Sequence, residues 1–280
     1  MERRTCIVTG GTSGVGMAIA RGLARAGHEV IIAARDVERG QAVERALQSE
    51  TGNRMVTYRP LDLAEPRSVR AFVADFLRDH AALHVLSNNA ADLSLTRRET
   101  AYRYGVDSIF AVGYLGHFLL TQLLLNALRE GAPSRVVTVA GKAGLISRVR
   151  PDFESAGRTE RYSLLAATLR TALAKTLFTF ELARRVGDSG VTANVFHPGM
   201  VRSSLAHSLP WYLRAPARLA VAVASAECST GVFLCLDPSI VSVSGRFFER
   251  RRVVTFHPRY DTMDAARRLW ETSETLVGER

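Results

Sequence analysis

The chain has 280 residues, 47% of them hydrophobic, with a formal net charge of +10 and three cysteines. That length gives a single α/β domain room for a sizeable core, and no stretch is apolar for long enough to span a bilayer. Cys6, Cys228 and Cys235 are too scattered for a disulfide frame or a metal site, so they read as reduced core thiols in a cytoplasmic protein without a metal.

The charge excess is carried by arginine, since Lys142 and Lys175 are the only lysines. The arginines are interspersed with acids along helix faces. The densest run, Arg250-Arg251-Arg252, lacks the interleaved aromatics of a single-strand groove. A solvated arginine-rich surface is expected, with no nucleic-acid partner.

Met1-Glu2-Arg3-Arg4 runs straight into the first strand-like segment, Thr5–Val8, which reads as lacking a secretory leader. Thr9-Gly10-Gly11-Thr12-Ser13-Gly14-Val15-Gly16 follows, then a helical pattern over Met17–Ala26. A strand, a glycine turn and a helix start suit a pyrophosphate. Glycines let backbone approach the ligand, and free N–H groups at the helix N-terminus meet its charge. The plain alternative is a tight turn that binds nothing. Further strands are expected at Val30–Ala33, Val56–Tyr58, Val85–Ser87, Val136–Val139, Thr192–Phe196 and near Arg246–Phe248. Helices are expected at Val37–Gln48, Pro66–Arg78, Ala111–Arg129, Leu164–Val186 and about 261–277. This alternation predicts an α/β fold, a Rossmann-like doubly wound parallel sheet with helices on both faces. No repeat or composition break marks a second domain, so residues 1–280 read as one domain.

Several motifs resemble those of the short-chain dehydrogenase/reductase family, most closely its retinol-dehydrogenase-like branch. They are the glycine motif, Asp62-Leu63, Asn88-Asn89-Ala90-Ala91, and Leu115-Gly116-His117-Phe118-Leu119-Leu120-Thr121. Leu177-Phe178-Thr179, Glu181-Leu182-Ala183-Arg184-Arg185, His197-Pro198-Gly199-Met200-Val201-Arg202-Ser203 and Arg268-Leu269-Trp270-Glu271 complete the set. The resemblance implies dinucleotide contacts at Gly10, Thr12, Ser13, Gly14, Val15, Gly16, Arg35, Asp62, Leu63, Asn89, Ala90, Pro198, Gly199, Val201 and Ser203. Asp62 could instead cap a turn, and His117 and His197 are expected to be structural. The run Ala34-Arg35-Asp36 resembles NADP-binding members, with Arg35 facing a 2′-phosphate. NADP(H) is therefore favoured, and NAD(H) stays open if Arg35 is only a solvated turn residue.

The same resemblance implies four catalytic positions: a tyrosine, a lysine four residues later, a serine and an asparagine. Counted from the flanking motifs, they fall on Thr168, Ala172, Gly141 and Gly113. All four roles read as lost together. A threonine hydroxyl is too weak an acid to replace a phenol, and losing a general acid or base costs about 10²–10⁴ in rate. Thr168 and Lys142 remain as candidate catalytic side chains, with Lys142 the basic group placed nearest the reacting centre and Lys175 expected to project away from it.

Residues 201–226 correspond to the family's substrate lid, where Leu205, Leu209, Trp211 and Leu213 suggest an apolar small-molecule substrate. Core packing or a membrane-surface patch are the alternatives there, and membrane contact is not the expected one. Three functions stay in play: an NADP(H)-dependent reductase acting on an activated apolar electrophile, an iminium or enone, in a specialised biosynthetic pathway; a non-redox cyclase or isomerase using the emptied cleft; and a non-catalytic binding protein. A homodimer is compatible with the family resemblance.

Overall fold

The computed structural model describes residues 3–92, 106–153, 163–199, 227–258 and 260–278. Its sheet has eight strands in the order β3-β2-β1-β4-β5-β6-β7-β8. They are β1 Thr5–Thr9, β2 Glu29–Ala34, β3 Val56–Pro60, β4 Val85–Asn88, β5 Ser134–Val139, β6 Val191–His197, β7 Phe247–Glu249 and β8 Arg252–Val254. The first seven are parallel, and β8 pairs antiparallel with β7. Chain order reverses between β1 and β4. That switch point opens a crevice beyond the carboxyl ends of the strands, where ligands bind in open α/β sheets.

Short apolar runs such as Cys6-Ile7-Val8 and Val30-Ile31-Ile32 form strands because both sheet faces are covered. One face packs against α1 (Gly14–Arg25), α2 (Val37–Thr51) and α9 (Ser229–Leu236). The other meets α3 (Pro66–Asp79), α5 (Gly116–Leu123), α8 (Leu164–Val186) and α10 (Thr262–Gly278). Local signals fix the helix starts. Asp36 caps α2 by accepting from Arg39 N, Pro66 opens α3, and the Ser163 hydroxyl accepts from Ala166 N at the head of α8. In α3 the buried Val69, Phe72, Val73 and Phe76 recur at helical spacing and face the sheet.

The segment expected as one helix over Ala111–Arg129 is broken. α4 (Ser108–Phe110) passes through a π turn at Ala111–Leu115 into α5, and α6 (Leu125–Glu130) follows after Leu124. α7 (Ala143–Ile146) is a single turn after β5. An aromatic cluster of Phe110, Tyr114, Phe118, Phe178 and Trp270 locks α5 to α8 and α10. Arg185 lies over the Trp270 ring, 4.3 Å from its centre, while also pairing with Glu181. The three cysteines are free and buried, and burial pushes the Cys235 thiol up to about 12. Among the described residues no helix is long and apolar enough to cross a membrane.

Candidate active site

The crevice at the switch point is built first from backbone. β1 ends at Thr9, and Gly10 (φ +62°) and Gly14 (φ +52°) take left-handed conformations that glycine adopts without strain. A Cβ on Gly10 would lie 2.9 Å from Ala90 Cα. A Cβ on Gly16 would run into Asn89 Nδ2 and lie 2.5 Å from Gly10 O. Each glycine is thus dictated by the close approach of this loop to the turn after β4. Ser13 precedes α1 in an extended conformation and makes no capping hydrogen bond, and the first turn of α1 carries no acid. Its N–H groups and the positive end of its dipole are left for an anion. Thr12, Ser13, Gly14 and Val15 are all partly exposed on this loop. The residues present therefore fit the pyrophosphate of a dinucleotide.

A buried network holds the second wall. The Thr9 hydroxyl oxygen accepts from Asn89 N (2.9 Å) and Ala90 N (3.1 Å) and lies 2.8 Å from His117 Nε2. His117 Nδ1 lies 3.0 Å from Gly113 O, which can only accept. With Nδ1 donating and the ring neutral, Nε2 is an acceptor, and the single Thr9 hydroxyl proton lies between Nε2 and Ser87 O, which is 3.2 Å from the same oxygen. Burial drives the His117 pKa down to about 3, which agrees with a neutral ring. Asn89 Nδ2 donates to Thr9 O, and Asn88 Nδ2 to the Thr121 hydroxyl. His117 is a strut between the glycine loop, the Asn88–Ala91 turn and the π turn.

Arg35 and Asp36 are both exposed at the end of β2. Asp36 Oδ1 is committed to Arg39 N at 3.0 Å, while Arg35 has no hydrogen bond or ion pair among the described residues. A free guanidinium beside an engaged carboxylate suits a phosphate better than a sugar diol. Asp62 Oδ1 accepts from Ala64 N at 2.9 Å, so its turn-capping role is real, and its partial exposure leaves the other oxygen open. Leu63 is buried, its carbonyl pressed against Gly116 at a point where any Cβ would collide. That contact fixes where α5 crosses the sheet.

The third wall carries the four positions counted as catalytic. Gly113 lies in the π turn, a helix form frequent at functional sites. A Cβ there would lie 2.6 Å from Thr171 Cγ2, so Thr171 fills the space a side chain at 113 would need. A Cβ on Gly141 would lie 3.7 Å from Ala172 Cβ and 3.4 Å from Ile146 Cδ1. Residues 141 and 172 thus pack against each other, and neither bears a polar side chain. Thr168 is half-buried one turn before Ala172. Tyr114 is turned away into the aromatic cluster, with its hydroxyl 2.7 Å from Ser273 Oγ, and burial raises its pKa.

The two lysines reverse the expectation from the sequence. Lys142 is exposed at the head of α7. Lys175 is only 6% exposed, and its Nζ donates to Ala90 O at 3.4 Å, directly on the turn that lines the crevice. Helical side chains lean toward the N-terminus of their helix, and the long lysine reaches the turn after β4, passing within 4.0 Å of the Gly113 Cβ position. The missed signal was its position: Ala172, Thr171, Phe178 and Thr179, three or four residues away on α8, are all buried. His197 ends β6, and burial lowers its pKa. Pro198 and Gly199 follow it, while Val201, Ser203 and the whole expected lid at 201–226 lie outside the described residues.

The sequence profile of the short chain dehydrogenase family (adh_short) matches residues 4–151. Retinol dehydrogenase 12 of Bos taurus is 38% identical over 282 residues, covering 99% of this chain and 87% of that protein. Retinol dehydrogenase 11 of Homo sapiens is 37% identical over 98% of this chain and 86% of its own length. Among solved structures, a short chain dehydrogenase from Burkholderia cenocepacia J2315 in complex with NADP superposes with a TM-score of 0.66 at 27% identity. It spans 88% of this chain and 95% of that one. Fold, crevice and sequence agree: the chain belongs to the short-chain dehydrogenase/reductase family. Within that family it is similar to retinol dehydrogenases along nearly its whole length.

Proposed function

We propose that this protein is an NADP(H)-dependent oxidoreductase that reduces an apolar small molecule already activated as an electrophile, an iminium ion or a polarised enone. The observation that carries the reading is the contrast between the two halves of one crevice. Among the described residues, the half that would hold a dinucleotide keeps its glycine loop and an open helix N-terminus, whereas Gly113, Gly141 and Ala172 offer no proton-bearing side chain and Thr168 offers only an alcohol. The α1 N-terminus and the glycine loop would hold the pyrophosphate, and Arg35 the 2′-phosphate that separates NADP(H) from NAD(H). The NADP bound by the Burkholderia relative supports that preference. Bound NADPH supplies a hydride.

The protein's own part is then positioning and exclusion. The small residues at 113, 141 and 172 give this wall an apolar surface, and the His117–Thr9 strut braces the Asn88–Ala91 turn. An iminium carbon that gains a hydride sends its C=N electron pair to nitrogen and ends as a neutral amine, so no protein acid is required. An enone gains hydride at its β-carbon, and the resulting enolate takes its proton from water. A plain ketone develops an alkoxide at positions that lack the tyrosine the family resemblance would place there, which costs about 10²–10⁴ in rate.

A matched pair tests this: a cyclic iminium and the ketone of the same ring, with consumption of NADPH followed for each. The expected result is turnover of the iminium with the ketone at least about a hundredfold slower. Equal rates, or fast turnover of retinal-like aldehydes and plain ketones within about 1–10³ s⁻¹, would refute the reading. Conversion of a substrate with no change in NADPH would point to the non-redox use of the crevice instead.

A further inference from the structure

A second concave surface lies apart from the crevice, between the later turns of α1 and α9. It is a groove of about 480 Å³, within the range of about 300–1,000 Å³ that small-molecule sites occupy. None of its lining residues belongs to the glycine loop or to the Asn88–Ala91 turn. Its apolar part is formed by Ala18 on α1 and by Val232, Phe233 and Leu236 on α9, the last three partly exposed. The two helices cross closely at Gly22, where any Cβ would collide with Val232. Charged side chains line the rest, and their pairing is unequal. Arg21 and Arg25 both bind Glu50, and Arg25 also binds Glu227 at 3.3 Å. Asp237 accepts from the backbone N–H and the hydroxyl of Ser239. Arg251 is the charged lining residue left exposed with no hydrogen bond or ion pair among the described residues.

The backbone at Arg251 adds a second observation. Arg250 and Arg251 form the β7–β8 turn at φ 48° and 62°, a left-handed pair that asparagine or glycine adopts with less strain. The turn itself therefore does not call for arginine. Each lining carboxylate is engaged, so the spare polar capacity of the groove is a hydrogen-bond donor beside an apolar surface. We propose that this groove is a second binding site, for a small anionic amphiphile whose apolar chain lies on the α1–α9 surface and whose carboxylate is held by the Arg251 guanidinium. The occupant is a free single-chain acid and not a bilayer. A membrane surface takes apolar side chains that protrude, whereas Val232, Phe233 and Leu236 line a concavity. The site does not draw on the redox reading of the crevice.

The test is calorimetric titration with decanoate below its micelle concentration, against decyltrimethylammonium and acetate, with and without saturating NADPH. Decanoate should bind saturably and at least about tenfold more tightly than the cationic probe, and acetate should not bind. Arg251→Asn should weaken decanoate about tenfold or more, whereas Arg250→Asn should leave it within about twofold. Arg250 shares the turn and the charge but does not line the groove, so it controls for both. Both variants should melt no lower than wild type, because asparagine relieves the turn. Absence of saturable decanoate binding, equal affinity for the cationic probe, or an equal loss in the two variants overturns the proposal. So does displacement of decanoate by NADPH, which would place the acid in the crevice. Arg251-dependent sedimentation with phosphatidylglycerol vesicles, without binding of free decanoate, assigns the arginine to a membrane surface and also overturns it. If Arg251→Asn fails to fold, Arg251→Gly carries the same comparison.

Discussion

Replacing Lys175 by methionine makes a prediction about stability that needs no ligand. Burial pulls the Lys175 pKa down from the ordinary lysine value of 10.5 to about 8. That drop corresponds to about 3 kcal/mol by which the charged form opposes folding at neutral pH, an order-of-magnitude figure for a fully buried group. Between pH 8 and 10.5 the unfolded chain holds the proton and the folded chain does not. Stability contributed through this residue therefore rises with pH across that window and is lowest below pH 8. Methionine is close to lysine in length and removes both the charge and its titration. Urea unfolding of both proteins at pH 7 and at pH 10 should give a variant more stable by about 1–3 kcal/mol at pH 7, with the gap largely closed at pH 10. Taking the difference between the two proteins cancels the three buried thiols, which burial pushes up in the fold and which titrate in this range only once unfolded. A variant less stable than wild type at pH 7, or a gap that does not change with pH, would show that the ammonium is well paired and the reasoning wrong.

Two other perturbations follow from the buried polar groups. His117 is neutral in the fold, with a pKa near 3 against the usual 6.5, so the unfolded chain binds the extra proton between those values. Stability is complete above pH 6.5 and falls as pH drops toward 3. Urea midpoints at pH 4 and pH 7 should differ less in His117→Gln than in wild type. Arg170 pairs at 2.9 Å with Asp107, whose side chain is 4% exposed and also caps α4. Arg170→Met should cost about 3–5 kcal/mol in chemical denaturation by leaving that carboxylate unpaired, and Asp107→Asn in the same chain should recover part of the loss.

Much of this architecture is written in local patterns. α8 runs over the predicted Leu164–Val186 because a continuous buried face, a serine cap and a following glycine all agree. The glycine loop and the Asn88–Ala91 turn are legible because close backbone approach demands particular residues. The π turn at Ala111–Leu115 is not legible, because one extra residue in a helix barely disturbs its hydrophobic period. β8 is missed for another reason. Its hairpin turns on Arg250 and Arg251, both at positive φ, where a sequence reader looks for asparagine and glycine. In the site, Lys175 escapes because a lysine between buried neighbours reads as an outward side chain until its tip is located. Lys142 attracts attention only by standing next to Gly141.

Calorimetric titration of NADPH and NADH tests most directly whether this crevice is a dinucleotide cradle without the usual acid. The wild-type protein is predicted to bind NADPH at least about tenfold more tightly than NADH, and Arg35→Ala should erase most of that difference while leaving NADH affinity nearly unchanged. Equal affinity for the two, untouched by Arg35→Ala, would contradict the NADP(H) assignment. Failure of either dinucleotide to bind at high micromolar protein would contradict the oxidoreductase reading altogether.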